Sequence, residues 1–387
     1  MILTYKFRIK DATAGKHLAR HAIACNQVWN FCVATQREAE RRHKGGMNVR
    51  WPTAFDLINL CAGSSKELGI LADSVCEICR RFVNARNASR RCPQFRSSFG
   101  SRRALGWIVF KAKRGHRVSG DRVAYCGRNY RFWKSRDLQG TPKVGAFVQD
   151  ARGRWYVCIQ CEVTDTLPTG SGIVGIDLGL KSLATCSDGT EIPALRHFRL
   201  YEPALAIAQR SRSRRRARAI HAKIANSRNH HLNEWSARIA RENRLIVVGD
   251  VSAAKMKKTR MAKSVSDASW SMFRNQLRYK ASRHGAVYIE VDERGTSQTC
   301  SACGTIPTSS PKGKGALGMR SWECSNCGAS HHRDVNAARN ILWIGLECQP
   351  PGEGIANLSR DDINKGVPQI SIGRAALSAP STEKGRG

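Results

Sequence analysis

Residues 4–9 alternate polar and apolar side chains with the period of a β-strand. From 16 to 43 the period lengthens: Leu18, Ile23, Val28, Trp29, Phe31 and Cys32 recur at helical spacing among Arg and His. A second helical stretch covers 54–89. Strand signals dominate 117–163, with the turn Ala151, Arg152, Gly153, Arg154 between two alternating runs. Residues 167–172, rich in Pro, Gly and Ser, read as a linker. Beyond it lie an apolar strand (173–179), a second run (183–186) and an Asp188-Gly189 turn of the hairpin type. A basic helical stretch (200–243), a buried strand (245–248), a helix (267–284) carrying Trp270, Phe273, Leu277 and Tyr279, and a strand (286–291) follow. Strands alternating with helices predict an α/β layer with parallel pairing in the second half. From Cys348 onward periodicity vanishes, and residues 347–387 read as a disordered tail.

Charge changes this picture most. The 387 residues hold 65 Lys and Arg against 30 Asp and Glu, a formal net charge of +35. Such an excess exceeds that of an ordinary metabolic enzyme and predicts a polyanionic partner, nucleic acid first, because neutralised phosphates release condensed counterions. No run of about 18 apolar residues is present, and Met1 to Lys6 lack a signal peptide's apolar core, so neither membrane insertion nor secretion is expected. A stretch from Arg90 to Arg114 interleaves Phe95, Phe99 and Trp107 with Arg and Lys. Those aromatics suit either stacking on nucleic acid or core packing.

Fifteen cysteines form an odd count in a long chain, which fits a reducing cytoplasm better than a disulfide scaffold. Cys300-x-x-Cys303 and Cys324-x-x-Cys327 are two knuckles, each followed by a glycine (Gly304, Gly328) that permits the tight turn. Four thiolates complete a closed tetrahedral shell, so this spacing predicts one structural Zn²⁺ and no open catalytic position. Cys76/Cys79 and Cys158/Cys161 share the spacing but sit in a helical and a strand pattern without knuckle glycines; they read as small core residues.

Acids are scarce, so their placement matters. Asp177 ends a buried strand, and Asp334 opens a helical run through Asn336, Arg339, Asn340 and Leu342. Taken alone, Asp334 is an ordinary helix-start carboxylate. Clustered carboxylates at such places can instead hold metal ions for phosphodiester hydrolysis.

The stretches around Gly175-Ile-Asp177-Leu-Gly, Thr296-Ser-Gln298-Thr-Cys300, Trp322-Glu-Cys324 and Arg333-Asp334-Val-Asn336 resemble, in that order, the TnpB family. These are transposon-encoded RNA-guided DNA endonucleases related to the small type V CRISPR effectors. The resemblance is specific over 173–342 and general before it. It implies a multi-domain α+β chain: a β-barrel wedge (1–15 and 115–166), an inserted helical recognition lobe (16–114), an RNase H-like RuvC nuclease (172–298 and 331–346) and a zinc ribbon (299–330). It further implies two catalytic Mg²⁺, a guide RNA derived from the transposon end, target double-stranded DNA, no membrane, and action in the prokaryotic cytosol or nucleoid. The rivals are a nuclease-dead RNA-guided DNA-binding protein and a DNA transposase acting without guide RNA.

One departure stands out. The family carries its second catalytic Glu directly after the strand at 245–248, where this chain has Gly249 and then Asp250. Asp250 can substitute only if the strand end twists, the site can be dead, or the acid can come from Glu293 after the neighbouring strand. Relocated glutamates are understood to occur in the family, and Glu293 is the expected third ligand beside Asp177 and Asp334. The run Arg210, Arg212, Arg214, Arg215, Arg216 and Arg218 resembles the family's helix along the guide–target duplex and is expected to touch phosphate.

Overall fold

In the computed structural model the described residues are 1–10, 13–112, 118–251, 269–312, 315–348 and 359–364. They form two units, Met1–Asp165 and Thr166–Gly387. Among them no helix is long and apolar enough to cross a membrane.

In the first unit, β1 (Ile2–Arg8) enters a four-stranded antiparallel sheet of order β1-β7-β6-β2 with β2 (Trp107–Lys111), β6 (Thr141–Gln149) and β7 (Trp155–Glu162). A small meander of β3 (Val118–Ser119), β4 (Arg122–Tyr125) and β5 (Arg128–Arg131) joins it through the Ile9–Phe132 bridge. Between β1 and β2 lie α1 (Ala14–Lys44), α2 (Ala54–Leu60), α3 (Ser64–Leu68) and α4 (Ala72–Ser89). The stretch read as one helix over 54–89 is therefore three. Thr53 and Asp56 close a capping box that starts α2.

The interleaved basic and aromatic stretch divides in space. Ile108, Val109 and Phe110 are fully buried on β2, which pairs with β6, so residues 107–111 belong to the sheet and not to the helical insertion. Phe95 and Phe99 remain exposed. Lys113 and Arg114 lie outside the described residues. The non-knuckle thiols pack as expected: Cys79 is buried 3.8 Å from Cys32, and Cys161 is buried while Cys158 points to the other face.

The second unit carries a five-stranded sheet of order β10-β9-β8-β11-β12. Its strands are β8 (Gly172–Leu178), β9 (Ser182–Cys186), β10 (Glu191–Pro193), β11 (Asn243–Gly249) and β12 (Val287–Val291). The two hairpin pairings are antiparallel, while β11 runs parallel to both β8 and β12, the pairing expected from strand–helix alternation. The helices are α5 (His197–Arg210), α6 (Arg214–Glu242), α7 (Trp270–His284), α8 (Arg333–Glu347) and α9 (Arg360–Asn364).

Strand period sorts the two faces. Val174, Ile176 and Leu178 of β8, with Ile246 and Val248 of β11, pack against Leu232 and Ile239 of α6 and Phe273 and Leu277 of α7. Their neighbours Ile173, Leu245 and Val247 pack with Ile341 and Leu342 of α8 and Ile363 of α9. Asp177 and Gly249 share this second parity, and so stand on the α8 face. The contact there is close: a Cβ at Gly175 would lie 2.1 Å from the Ala338 carbonyl oxygen, so only glycine lets α8 approach β8. Helix α9 falls in the segment read as disordered. Ile363 is buried and the Asn364 amide bonds the Ser301 carbonyl, so that reading fails there; residues 349–358 and 365–387 lie outside the described part.

Candidate active site and metal centre

Asp177, Glu293 and Asp334 line one cleft of ≈ 350 Å³, together with Lys181, Trp270, Arg320 and Arg333. Each acid arrives by a different route. Asp177 is the penultimate residue of β8. Asp334 starts α8, one turn before the Ala338 that rests on Gly175. Glu293 follows β12, two residues past the Val291 that pairs with Gly249. Trp270 at the start of α7 closes one wall and donates from Nε1 to the Gly179 carbonyl at 3.1 Å, fixing the turn after β8.

Position 249 decides how Glu293 fits. Val248 is level with Ile176 across the parallel pair, so Gly249 stands beside Asp177 and on its face, about 4.8 Å away. A Cβ built there would meet Glu293 Oε2 at 2.9 Å and Glu293 Cβ at 3.2 Å. The carboxylate of Glu293 thus fills the space that a side chain at 249 would occupy. Asp250 has the opposite parity, is exposed, and does not line the cleft.

The electrostatics follow from this crowding. Burial first, then the nearby Asp334 carboxylate, push Asp177 up to about 7, against a partial offset by Arg333. Burial, then Asp177, Asp250 and Asp292, push Glu293 up to about 7. Asp334 is held instead by Arg320, whose Nη1 reaches Oδ1 at 3.0 Å and Oδ2 at 2.7 Å. The three carboxylates have not drawn together as a ligand set: among the described residues, the one group of three or more ligand atoms all within 4.8 Å is the four knuckle thiols.

That thiol group fits zinc. A tetrahedron with Zn–S bonds of about 2.3 Å has sulfurs about 3.8 Å apart. The Cys300–Cys327 and Cys303–Cys324 separations are 3.7 and 3.8 Å. Gly304 and Gly328 adopt φ of +77° and +72°, which side chains avoid, and return their N–H groups to Cys300 and Cys324. His331 Nε2 lies 3.0 Å from Cys300 Sγ, a position from which its N–H donates to the thiolate.

Two buried asparagines tie the metal centre to the acids. Asn336 and Asn340, one turn apart on α8, each donate from Nδ2 to the carbonyls of Thr296 and Thr299. Asn336 Oδ1 also accepts from the Ser301 backbone at 2.8 Å. The loop that leaves Glu293 and enters the first knuckle is thereby stapled to the helix bearing Asp334. Sequence reading gave no role to these asparagines or to Arg320. Polar residues four apart on a buried helix face were a usable signal for the first; Arg320, between the knuckles, offered none.

The six arginines from Arg210 to Arg218 are all exposed, but they straddle a break between α5 and α6, where Arg212 takes φ of +51°.

Comparison with known proteins places this architecture in a class. The family model described as "Probable transposase" (OrfB_IS605) matches residues 156–260, and "Cas12f1-like, TNB domain" matches 270–341. A solved Cas12f1–sgRNA–target DNA complex superposes with TM-score 0.53 at 13% identity, covering 86% of this chain and 83% of that one, a likeness of fold. Residues 156–260 and 270–341 are thus the stretches over which the chain resembles OrfB-type and Cas12f1-like proteins. A Streptomyces pristinaespiralis protein named "Putative RNA-guided DNA endonuclease" is 38% identical over 54% of this chain and 54% of its own length. InsQ of Escherichia coli K12, similarly named, is 26% identical over 90% of this chain and 94% of its own. The aligned part spans about half of the first relative.

Proposed function

We propose that the chain is an RNA-guided DNA endonuclease of transposon origin that cuts target DNA by metal-dependent phosphodiester hydrolysis. The observation that carries this reading is the filling of the position-249 space by Glu293, which restores a third carboxylate beside Asp177 and Asp334. The strand order β10-β9-β8-β11-β12, with its parallel β8-β11-β12 half, supports an RNase H-like RuvC assignment for 172–298 and 331–346, interrupted by a zinc ribbon at 299–330. The antiparallel sheet with helices inserted between β1 and β2 supports a wedge with a recognition lobe.

Asp177, Glu293 and Asp334 would hold two Mg²⁺. When bound, the ions supply an activated water and a counter-charge for the leaving oxygen. The chain's own part is to hold three acids in a recessed cleft, Asp177 and Glu293 among them at high proton affinity, so that a divalent cation displaces protons there. Arg320 orients the Asp334 carboxylate, and Lys181 and Arg333 add positive charge that draws a phosphate toward the acids. The guide RNA would come from the transposon end, with base pairing reading the sequence and the exposed arginines of 210–218 gripping the hybrid backbone. Action in the bacterial cytosol at the nucleoid follows from those partners.

The test is to isolate the protein with the RNA expressed beside its own gene and to assay cutting of matched double-stranded DNA in Mg²⁺. Guided cutting that disappears in Asp177→Ala and Glu293→Ala is expected. Absence of any co-purifying RNA, or cutting that survives Asp177→Ala, would overturn the reading.

A further inference from the structure

Beside the acidic cleft lies a second cavity of ≈ 380 Å³, formed by the β9–β10 hairpin and helices α5 and α6. The two share Leu180, Lys181 and Arg320 as a common wall. Their chemistry is opposite. The acidic cleft gathers Asp177, Glu293 and Asp334, whereas among the described residues no carboxylate lines the second cavity. Arg196, Arg199 and Arg228 ring it, and Leu183, Leu195 and Leu232 give it an apolar lining.

The cavity is built in advance of any ligand. His231 Nε2 sits 2.9 Å from the Pro193 carbonyl and His197 Nδ1 3.0 Å from Ser227 Oγ, which fixes both imidazoles in its wall. Its size lies within the range of small-ligand pockets, about 300–1,000 Å³. Cations alone would suit bare phosphate; apolar side chains and two imidazoles beneath them suit a base and its sugar as well.

We infer that this cavity binds one unpaired nucleotide of the strand being cut, next to the scissile phosphate. Its phosphate meets Arg196 and Arg199, and its base enters the apolar lining. A base held in such a pocket has left its stack, so the strand must be single there. The shared wall then sets the reach: Lys181 and Arg320 face the backbone link between the held nucleotide and the acids. This inference rests on the endonuclease reading for which strand is held, but not for the binding itself.

The test uses the full chain in EDTA, so that no cutting is required. A 5′-phosphorylated thymidine dinucleotide is titrated calorimetrically into the wild type, into Arg196→Asn/Arg199→Ala, and into Arg238→Ala/Arg241→Ala, a control that removes equal charge from α6 at exposed positions outside the cavity. Asparagine suits position 196, where φ is +44°. Expected is a loss of at least about tenfold in affinity for the first pair and under about twofold for the control, a difference electrostatics at a distance does not give. Leu195→Asp, at an exposed rim position, should weaken binding similarly. Equal losses in both pairs, equal affinity for inorganic tripolyphosphate, or tighter binding of the ribodinucleotide would overturn the assignment. Dinucleotide binding that persists without guided cutting would leave the pocket standing and sink only the endonuclease reading.

Discussion

Replacing Asp177 by Asn should make the metal-free protein more stable at alkaline pH while abolishing cutting. The wild-type carboxyl is pushed from 3.8 to about 7 by burial and by Asp334. In the folded chain Asp177 therefore keeps its proton to about pH 7, whereas an unfolded Asp loses it near pH 4. Across that window the folded state binds the extra proton, so stability falls as pH rises and is lowest above about 7. The full displacement corresponds to a ceiling of about 4 kcal/mol. Asp177 is only partly shielded from water at the cleft mouth, which reduces the expected gain for Asp177→Asn at pH 8.5 to about 1–3 kcal/mol. For a unit of this size that is roughly 2–8 °C in Tm. Thermal unfolding in EDTA at pH 5 and pH 8.5 reads it directly. At pH 5 the gap should shrink to less than half of its value at pH 8.5, because there the folded group is still neutral and only the unfolded chain has lost its proton. Adding Mg²⁺ at pH 8.5 should raise the wild type and close the gap, since only the carboxylate form binds the ion. A variant that melts below the wild type at pH 8.5, or by the same margin at both pH values, would refute the reasoning.

Three further outcomes are expected. Gly249→Ala should drive the Glu293 carboxylate from its place, since the new Cβ would stand 2.9 Å from Oε2, and should lower the cutting rate at least about tenfold with little change in unfolding midpoint; Asp250→Ala should leave the rate within about threefold. Each chain should carry one zinc by elemental analysis, and Cys303→Ser should lose it together with protease resistance of the loop at 296–301. Asn336→Ala strands the Ser301 N–H and weakens the hold on the Thr296 and Thr299 carbonyls, so chemical denaturation should show a loss of about 2–4 kcal/mol, and retention of full stability would remove its role as a staple.

Much of this chain was readable in one dimension because its signals are local. The strand at 173–179, the long first helix, the parallel pairing of the strands at 245–248 and 286–291, and both cysteine knuckles depend on period and spacing, which neighbours in sequence determine. The errors came where tertiary context outweighed local composition. Residues 107–111 looked basic and aromatic, yet Ile108, Val109 and Phe110 fill the first unit's core because β6 offers them a partner strand. The tail looked structureless, yet Ile363 finds an apolar seat beside Ile341 and Leu342.

By itself the sequence determined the metal knuckle, because four thiols at that spacing have one low-energy arrangement around a tetrahedral ion. It also determined the polycationic character, since charge sums without regard to fold. Which acid completes the cleft was a tertiary decision. Gly249 and Glu293 are 44 residues apart, and only the parallel register of β11 with β12, combined with the parity that puts Gly249 on the α8 face, brings the glutamate into the space the glycine leaves. The same parity turns Asp250 away. The basic cavity behind the acids arose in the same manner, from a hairpin and two helices whose arginines gave no sign in sequence of meeting at one point.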